Sequence, residues 1–454
     1  MASLQAEFAQ EVARLAEVAA ASVAGGAPGE GLAGVELAIR TAMVKLGGSL
    51  AEQLLGTDTG YAGPVIDCGA GHQAGFVSYR EKTFGTVLGP NRLSRAYYHC
   101  PDCHAGVIPR DDQLGMADVS VSPGLRAMVD RVGETVPFAK ASKLLSELAG
   151  ITFGAKRIER RSEADGGVLV AAADAEATAA LAGQLVVLPV GDAPEKLYVA
   201  MDGTGIPMVP GELVGRKGKG EDGKARTREV KLAVAFTQTD LDEDGYPVRD
   251  PGSSSYVATL EPVEHFGDLV AIEGRRRGSD HAGTVVILGD GSPWIWNLAA
   301  THFPAATHIV DLYHAREHVY DLAKLIVAQL GTRYRRWVED RIGQLNSGDI
   351  EGLCETVRAL ELAIPASTAV EAALGYFETN AERMRYAAFR AAGHFVGSGT
   401  VESGCKAVIG QRLELSGMRW SEHGAGAILA LRCQEASGRW DQIWQRLHNQ
   451  TSVA

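Results

Sequence analysis

Acidic side chains follow apolar runs at three places in the chain. KLYVAMDGTG ends a β-like run at Asp202, VVILGDG ends another at Asp290, and THIVDLYH ends a third at Asp311. A fourth carboxylate, Glu402, stands in helical sequence after the small-residue turn GSG. Carboxylates on neighbouring strand ends and on a packing helix can hold two divalent metal ions for in-line displacement at a phosphodiester. Because Mg²⁺ (or Mn²⁺) prefers oxygen ligands, the pattern predicts two such ions bound by Asp202, Asp290 and Glu402.

Each of these residues also has a purely structural explanation. Aspartate favours turns and helix N-caps, so Asp202 and Asp290 could simply begin turns. Glu402 could be an acid at a helix N-terminus, stabilised by the helix dipole.

Asp311 and His314 are separated by two residues, which places them on one helical face. We expect this pair to orient a catalytic carboxylate or to contact the scissile-strand phosphate, not to add a fourth primary metal ligand.

Cysteine spacing predicts a second kind of metal site. Cys100 and Cys103 have the spacing of a zinc knuckle, and Cys68 with His72 could supply the opposite pair of a tetrahedral zinc site. The short alternating runs between them predict a zinc-ribbon-like module over residues 60–110, with structural Zn²⁺. Buried or redox-active thiols are the alternative. Ordinary buried thiols are expected at the cysteines in helical sequence, which are Cys354, Cys405 and Cys433.

Basic residues are clustered, although the net charge of the 454-residue chain is −12. Local basic stripes, not net charge, decide contact with nucleic acid, and solvated surface is the alternative for any one cluster. We expect DNA contacts from Lys156, Arg157, Arg160, Arg161, Arg216, Lys217, Lys219, Arg226, Arg228, Lys231, Arg275, Arg276, Arg277 and Arg412.

The periodicity of apolar residues and the positions of turn and linker sequences divide the chain into zones. Carboxylates stand at the ends of predicted strands, and helical sequence separates these strands. This pattern predicts an α/β fold with a ribonuclease H-like catalytic core. No apolar run reaches the roughly 18 residues of a membrane span, and the N-terminus is an acidic amphipathic helix rather than a signal peptide, so we expect a cytoplasmic protein with no membrane partner. The predicted zones are an N-terminal helical region (1–57), the zinc-ribbon-like module (60–110), a helical, helix-turn-helix-like region (118–187), the first part of the core (195–314), an all-helical insertion (315–395) and the final part of the core with Glu402 and a C-terminal helix (396–454).

Five motifs in order resemble a known family. MDGTG, TREVKLAVAF, LGDGSPWIW, DLYHAREH and GSGTVESGCKAVIGQRLELSGMRW are similar to motifs of the DDE transposases of bacterial insertion sequences, ISKra type, which are relatives of the Mutator-like group. The resemblance covers roughly residues 60–440. It implies Asp202, Asp290 and Glu402 as the metal-binding triad and DLYH as the C/D-x-x-H motif of that family. It also implies the helical insertion and the zinc-ribbon and helix-turn-helix modules ahead of the core.

The function implied is metal-dependent DNA cleavage and strand transfer at the ends of an insertion sequence. The expected partners are double-stranded DNA, as terminal inverted repeats and as target, and further copies of the chain, because two ends must be joined in a dimer or larger assembly. Such a protein would associate with the bacterial nucleoid when bound to DNA. Two alternatives stay open at this point: a ribonuclease H-like nuclease without strand transfer, and a domesticated transposase that acts as a DNA-binding protein.

Overall fold

Two separate units make up the structure, which is a computed structural model. The residues that it describes are 31–117, 119–218, 224–360 and 364–443, with scattered positions between 6 and 24. The first unit comprises residues 1–165 and 441–454, and the second comprises residues 166–440. Within the described ranges, no helix combines the length and the apolar character needed to cross a membrane.

The fold is mixed α/β. Its strands are β1 (Val65–Asp67), β2 (Gln73–Thr86), β3 (Gly89–His99), β4 (Gly106–Val107), β5 (Lys196–Pro207), β6 (Thr227–Gln238), β7 (Ser255–Thr259), β8 (Thr284–Gly289) and β9 (Thr307–Val310). The helices of the described residues are α1 (Gly31–Gly56), α2 (Pro109–Gln113), α3 (Pro123–Thr135), α4 (Phe138–Ala149), α5 (Ala155–Leu181), α6 (Val263–Arg276), α7 (Pro293–His302), α8 (Leu312–Leu325), α9 (Val327–Leu330), α10 (Tyr334–Ser347), α11 (Ile350–Arg358), α12 (Ile364–Asn380), α13 (Tyr386–Ala391), α14 (Gly399–Gly404), α15 (Gln411–Leu413) and α16 (Glu422–Ala436).

The first unit contains a four-stranded antiparallel sheet in the order β1-β2-β3-β4. Strands β2 and β3 form a long hairpin that closes where Thr86 pairs with Gly89. Gly89 has a φ of 98°, a conformation that glycine adopts without steric cost. At the other end of the hairpin, Tyr98 is fully buried in a small core that also includes Cys100. The hairpin therefore brings the predicted zinc-ribbon segment together as one sheet.

Two helices and a glycine turn precede the long helix α5. Helix α4 ends at Gly150, which has the left-handed φ of 68° typical of a helix C-cap. Ile151 and Phe153 are buried in the turn and pack with residues of α3, α4 and α5. Helix α5 then begins at Ala155 with the basic sequence AKRIERR. The helix, glycine turn and basic helix that the sequence predicts are thus present in the structure.

A buried ionic cluster joins α3 to the N-terminal part of α5. Arg126 Nε donates to Asp165 Oδ2 at 2.8 Å, and Arg161 donates to Oδ1 of the same carboxylate at 2.6 Å. Ser162 Oγ donates to Asp130 Oδ1 at 2.9 Å. Burial raises the pKa of Asp130 well above its usual range, and the charge of Asp165 adds to the rise. Because removing one member would leave a buried charge unpaired, the cluster fixes the packing of α3 on α5.

The second unit is built on a five-stranded mixed sheet in the order β7-β6-β5-β8-β9. Strands β5, β6 and β7 are antiparallel, whereas β5, β8 and β9 run parallel to one another. Residues 197–201 of β5 are fully buried, as expected for a central strand covered on both faces. Strand β8, helix α7 and strand β9 form a strand-helix-strand unit, in agreement with the helical sequence between the two apolar runs. In this unit β9 pairs with β8 in parallel.

Helices fill most of the chain after β9. From Leu312 to Ala391, the described residues form helices α8 to α13 and contain no strand, in agreement with the helical stretch expected at 315–395. Helix α14 then carries Glu402, and α16 packs against β7. A β-carbon on Gly166 of α5 would overlap the carbonyl of Ala427 in α16, so glycine is required where these two helices touch.

Candidate functional site

Three aspartates, Asp202, Asp290 and Asp311, lie side by side in or directly after neighbouring parallel strands of the five-stranded sheet, and we call this group the acidic edge. Strand β8 ends at Gly289 and is followed by Asp290, and β9 ends at Val310 and is followed by Asp311. The last residues of the two strands, Gly289 and Val310, are register partners. Asp202 lies at the same level because the parallel register between β5 and β8 runs to the residue two positions before it. Asp290 and Asp311 therefore follow their strands, as the sequence predicts. The prediction that a strand ends at Asp202 is wrong, because β5 continues to Pro207 through its pairing with β6, and Asp202 lies within the strand.

Asp202 is half-buried and interacts with two of the other predicted residues. Gly203 N donates to its Oδ1 at 2.7 Å, and Cys405 Sγ donates to its Oδ2 at 3.6 Å. Burial raises the pKa of Asp202, the Gly203 N–H opposes this rise, and the charge of Asp290 adds to it. His314 acts in the opposite direction and favours the ionised carboxylate. Asp202, Asp290 and His314 are thus close enough to interact electrostatically.

Asp290 is at once a turn residue and a member of the acidic edge. Its Oδ1 accepts a hydrogen bond from Ser292 N at 2.8 Å, and its Oδ2 accepts one from Ser292 Oγ at 3.0 Å. Gly291 between them has a φ of 99°. This side-chain turn leads into α7, so the structural explanation offered by the sequence also holds for Asp290. The turn fixes the orientation of the carboxylate.

Asp311 joins α8 to the turn ahead of α14. It is fully buried and forms the N-cap of α8, where its Oδ1 accepts a hydrogen bond from His314 N at 2.8 Å. Its Oδ2 accepts a hydrogen bond from Ser398 N. The backbone reinforces the link, because Leu312 N donates to Val396 O at 2.9 Å. Both oxygens of Asp311 are therefore used to hold backbone groups.

Glu402 completes the acidic group. Ligand atoms of Asp311, His314 and Glu402 lie within 4.8 Å of one another, so these three side chains could hold one metal ion. Ser398 Oγ lies 3.5 Å from Glu402 Oε1. His314 Nδ1 lies 3.3 Å from Glu317 Oε2 on the same helix. Glu402 is thus grouped with Asp311 and His314, whereas the predicted triad of Asp202, Asp290 and Glu402 forms no such group among the described residues.

A separate cluster of donors lies in the first unit. Ligand atoms of Cys68, His72, Cys100 and Cys103 lie within 4.8 Å of one another. The Sγ atoms of Cys68 and Cys103 are 3.7 Å apart. Two thiolates on a tetrahedral zinc ion with bonds of about 2.3 Å would be about 3.8 Å apart, so the observed distance fits such a site. This set of three thiols and one imidazole could bind zinc.

Backbone hydrogen bonds in two turns hold the cysteines of this cluster and change the pKa of their thiols. Cys68 N donates to His72 O and Cys100 N donates to Ala105 O, each at 2.9 Å. Hydrogen bonds from the Ala70 and His72 backbones lower the pKa of Cys68 to about 7. The Ala105 backbone lowers the pKa of Cys103, but the Cys100 sulfur, burial and the Cys68 sulfur together outweigh it and leave that pKa raised. Thiolates so close together repel each other, and a cation would relieve this repulsion.

The predicted DNA contacts differ in accessibility. Six of them have exposed side chains, and these are Lys156, Arg157, Arg160, Arg216, Lys217 and Arg226. Others are half-buried and held by acidic groups: Arg161 pairs with Asp165, Arg228 with Glu422, Lys231 with Glu229, Arg275 with Asp280, and Arg276 and Arg277 with Glu273. Lys219 lies outside the described residues.

Arg412 requires a correction. The sequence places it among the DNA contacts, but its side chain is fully buried in the second unit. Its guanidinium lies over the Trp420 ring, 4.9 Å from the centroid, and contacts Met418 Sδ at 3.3 Å. A buried cation packed on an indole cannot reach a phosphate from the surface, so Arg412 contributes to packing near α15.

The structure adds residues that the sequence did not assign to the site. Cys405 is buried as expected, but its thiol contacts Asp202, and its position three residues after Glu402 on one helical face was a usable signal. Ser398 contacts both Asp311 and Glu402. Tyr376, from α12, donates to the backbone of Asp290. Local sequence carried no signal for these last contacts, since they join distant segments.

No family model matches the chain, and a search of curated proteins gives no match. The geometry of the two clusters and the motif order in the sequence therefore carry the functional argument.

Proposed function

We propose that the protein is a DNA transposase of the DDE class that cuts the ends of an insertion sequence and joins them to target DNA. The observation that supports this most strongly is the acidic edge: Asp202 lies within the central strand β5, Asp290 and Asp311 follow its parallel neighbours β8 and β9, and Glu402 lies beside Asp311. Carboxylates held on rigid strands are suited to phosphodiester chemistry.

The sheet supports a ribonuclease H-like core. The order β7-β6-β5-β8-β9 combines an antiparallel meander with two parallel strands, and the acidic residues lie within the central strand and directly after its parallel neighbours. The helices between 312 and 391 separate these strands from Glu402, as an insertion into such a core would. The order of the five sequence motifs, similar to that of ISKra-type transposases, supports the same assignment.

The acidic edge fits a pair of Mg²⁺ (or Mn²⁺) ions. Burial, together with the charge of Asp290, raises the pKa of Asp202, and a hard divalent cation would offset that accumulated negative charge. Asp202, Asp290 and Glu402 would hold the ions. When bound, the two ions would activate the attacking water and stabilise the departing 3′ oxygen.

Other side chains of the site position these ligands. Asp311 holds the N–H groups of His314 and Ser398, and through them it sets the distance between α8 and Glu402. His314, whose Nδ1 lies 3.3 Å from Glu317 Oε2, carries an imidazole N–H that can donate a hydrogen bond to a phosphate oxygen. This role for the pair Asp311 and His314 agrees with the short distances between them and Glu402.

DNA-end recognition is assigned to the first unit. The exposed Lys156, Arg157 and Arg160 lie in the first turns of α5, which follows the glycine turn as the second helix of a helix-turn-helix does. Zn²⁺ held by the cysteine-histidine cluster would stabilise the adjacent ribbon, because structural zinc contributes directly to folding. These modules would bind terminal inverted repeats, and synapsis of two ends requires at least a dimer on DNA.

The experiment that tests the proposal is a strand-transfer assay. The probe is a linear fragment of the genomic DNA that flanks the coding region, incubated with protein, MgCl₂ and a supercoiled target plasmid. A fragment with the same base composition in shuffled order is the matched control. We expect Mg²⁺-dependent nicks at the flanking sequence and joined products from the native fragment alone.

The other outcomes overturn the proposal in distinct ways. Cleavage of both fragments without joined products would make the protein a ribonuclease H-like nuclease without strand transfer. Specific binding of the native fragment without any cleavage would make it a DNA-binding protein derived from a transposase.

A further inference from the structure

One tyrosine from the helical segment 312–391 holds the turn that carries Asp290. Tyr376, on α12, donates its hydroxyl to the backbone oxygen of Asp290 at 3.0 Å. The side chain of Asp290 is engaged separately, by Ser292. Backbone and carboxylate of this one residue are therefore fixed from two directions, and only the first depends on the helical segment.

Gly291 makes the approach of the tyrosine possible. With a φ of 99°, it occupies a region that side chains disfavour. A β-carbon at this position would lie 2.6 Å from Cε2 and 2.9 Å from the hydroxyl of Tyr376, so any larger residue would displace the ring. The turn and the tyrosine thus fit each other closely.

A second contact also holds the tyrosine. His318 on α8 stacks on the Tyr376 ring, with centroids 3.6 Å apart and planes inclined by 21°. His318 lies one helical turn after His314, on the helix whose N-cap is Asp311. Tyr376 is therefore clamped between α8 and the Asp290 turn, and it connects the two.

We propose that Tyr376 is a positioning residue through which the helical segment sets the place of the Asp290 carboxylate. The inference rests on the proposed function, because Asp290 must bind metal for its placement to affect cleavage. It assigns the helical segment a part in building the metal site in addition to any contact with DNA. Partners that orient a metal ligand typically change metal affinity or activity by 10- to 100-fold when they are removed.

The test is Tyr376→Phe, which deletes the hydroxyl and keeps the ring. The matched control is Tyr320→Phe on α8, since Tyr320 is 45% exposed and lies outside the site. Binding of MnCl₂ to the full-length protein is measured by calorimetry, cleavage of the flanking fragment is measured as a function of MnCl₂, and thermal unfolding is recorded. We expect Tyr376→Phe to raise the half-saturating Mn²⁺ concentration about 10-fold in both assays, and excess Mn²⁺ to restore most of the rate.

A purely structural tyrosine would lower the unfolding midpoint without moving the Mn²⁺ requirement, and that result overturns the inference. Wild-type Mn²⁺ binding and cleavage by Tyr376→Phe overturn it as well and leave the proposed function standing. If the wild-type protein itself neither binds Mn²⁺ nor cleaves the fragment, the proposed function fails and the inference fails with it.

Discussion

Variants of Asp311 distinguish a residue that positions a metal ligand from a residue that binds the metal directly. Asp311→Ala removes the acceptor for two backbone N–H groups, those of His314 and Ser398, at a fully buried site. Loss of an N-cap costs about 1 kcal/mol, and a buried N–H left without an acceptor costs about 1–3 kcal/mol. We therefore expect Asp311→Ala to lower the free energy of unfolding by about 2–4 kcal/mol. Asp311→Asn retains one acceptor oxygen and should cost about 1–3 kcal/mol.

We expect the cleavage rate of these variants to fall together with their stability, but cleavage should remain detectable. Displacement of the turn before α14 moves Glu402, so cleavage should slow by roughly 10- to 100-fold at saturating Mg²⁺. Urea denaturation and single-turnover cleavage of the flanking fragment measure the two quantities. Asp321→Ala is the matched control, because Asp321 lies on the same helix, is largely exposed and pairs only with the equally exposed Lys324.

Two results would refute this account of Asp311. Full activity and unchanged stability in both variants would reduce the residue to a dispensable cap. Complete loss of cleavage by Asp311→Asn with unchanged stability would instead make Asp311 a direct metal ligand, as its proximity to His314 and Glu402 permits.

Three further predictions concern the first unit. Protein prepared without chelator should contain about one zinc per chain by elemental analysis, and Cys100→Ser should lose it whereas Cys354→Ser, with its buried helical thiol, should keep it. Because burial raises the folded-state pKa of Asp130, its contribution to stability is present below the unfolded pKa and is lost as pH rises towards the folded pKa. Asp130→Asn should therefore flatten the decline of urea stability as pH rises above about 4, and an unchanged slope would contradict this. Arg160→Gln should weaken binding of the flanking fragment and reduce the slope of log affinity against log salt by about 1, and an unaltered slope would remove this exposed residue from the phosphate contacts.

Local sequence pattern predicted the elements of the site well. Asp290 and Asp311 follow apolar runs that are strands, and the helical period between the runs predicts the α7 crossover that brings them to one edge. The spacing of Cys100 and Cys103 predicts the cysteine-histidine cluster equally directly. These features succeed because strand ends, crossovers and knuckles are encoded within a few dozen residues.

Contacts between distant segments were beyond such patterns. Ser398 on Asp311 and Tyr376 on Asp290 join residues 87 and 86 positions apart, and no periodicity specifies either pairing. The same holds for Arg412, whose charge suggests a surface contact although the fold buries it against Trp420. Side-chain type gives the chemistry available to a residue, whereas its partners depend on tertiary packing.

The most direct test of the acidic edge compares cleavage and binding in Asp202→Asn, Asp290→Asn and Glu402→Gln. Each variant should bind the flanking fragment as tightly as wild type and show no detectable Mg²⁺-dependent nicking, because each removes ligand charge without removing any of the proposed DNA contacts. Since burial raises the pKa of Asp202, its neutral replacement should also be at least as stable as wild type at neutral pH. Nicking at the wild-type rate by any one of the three would contradict the assignment of that residue as a metal ligand.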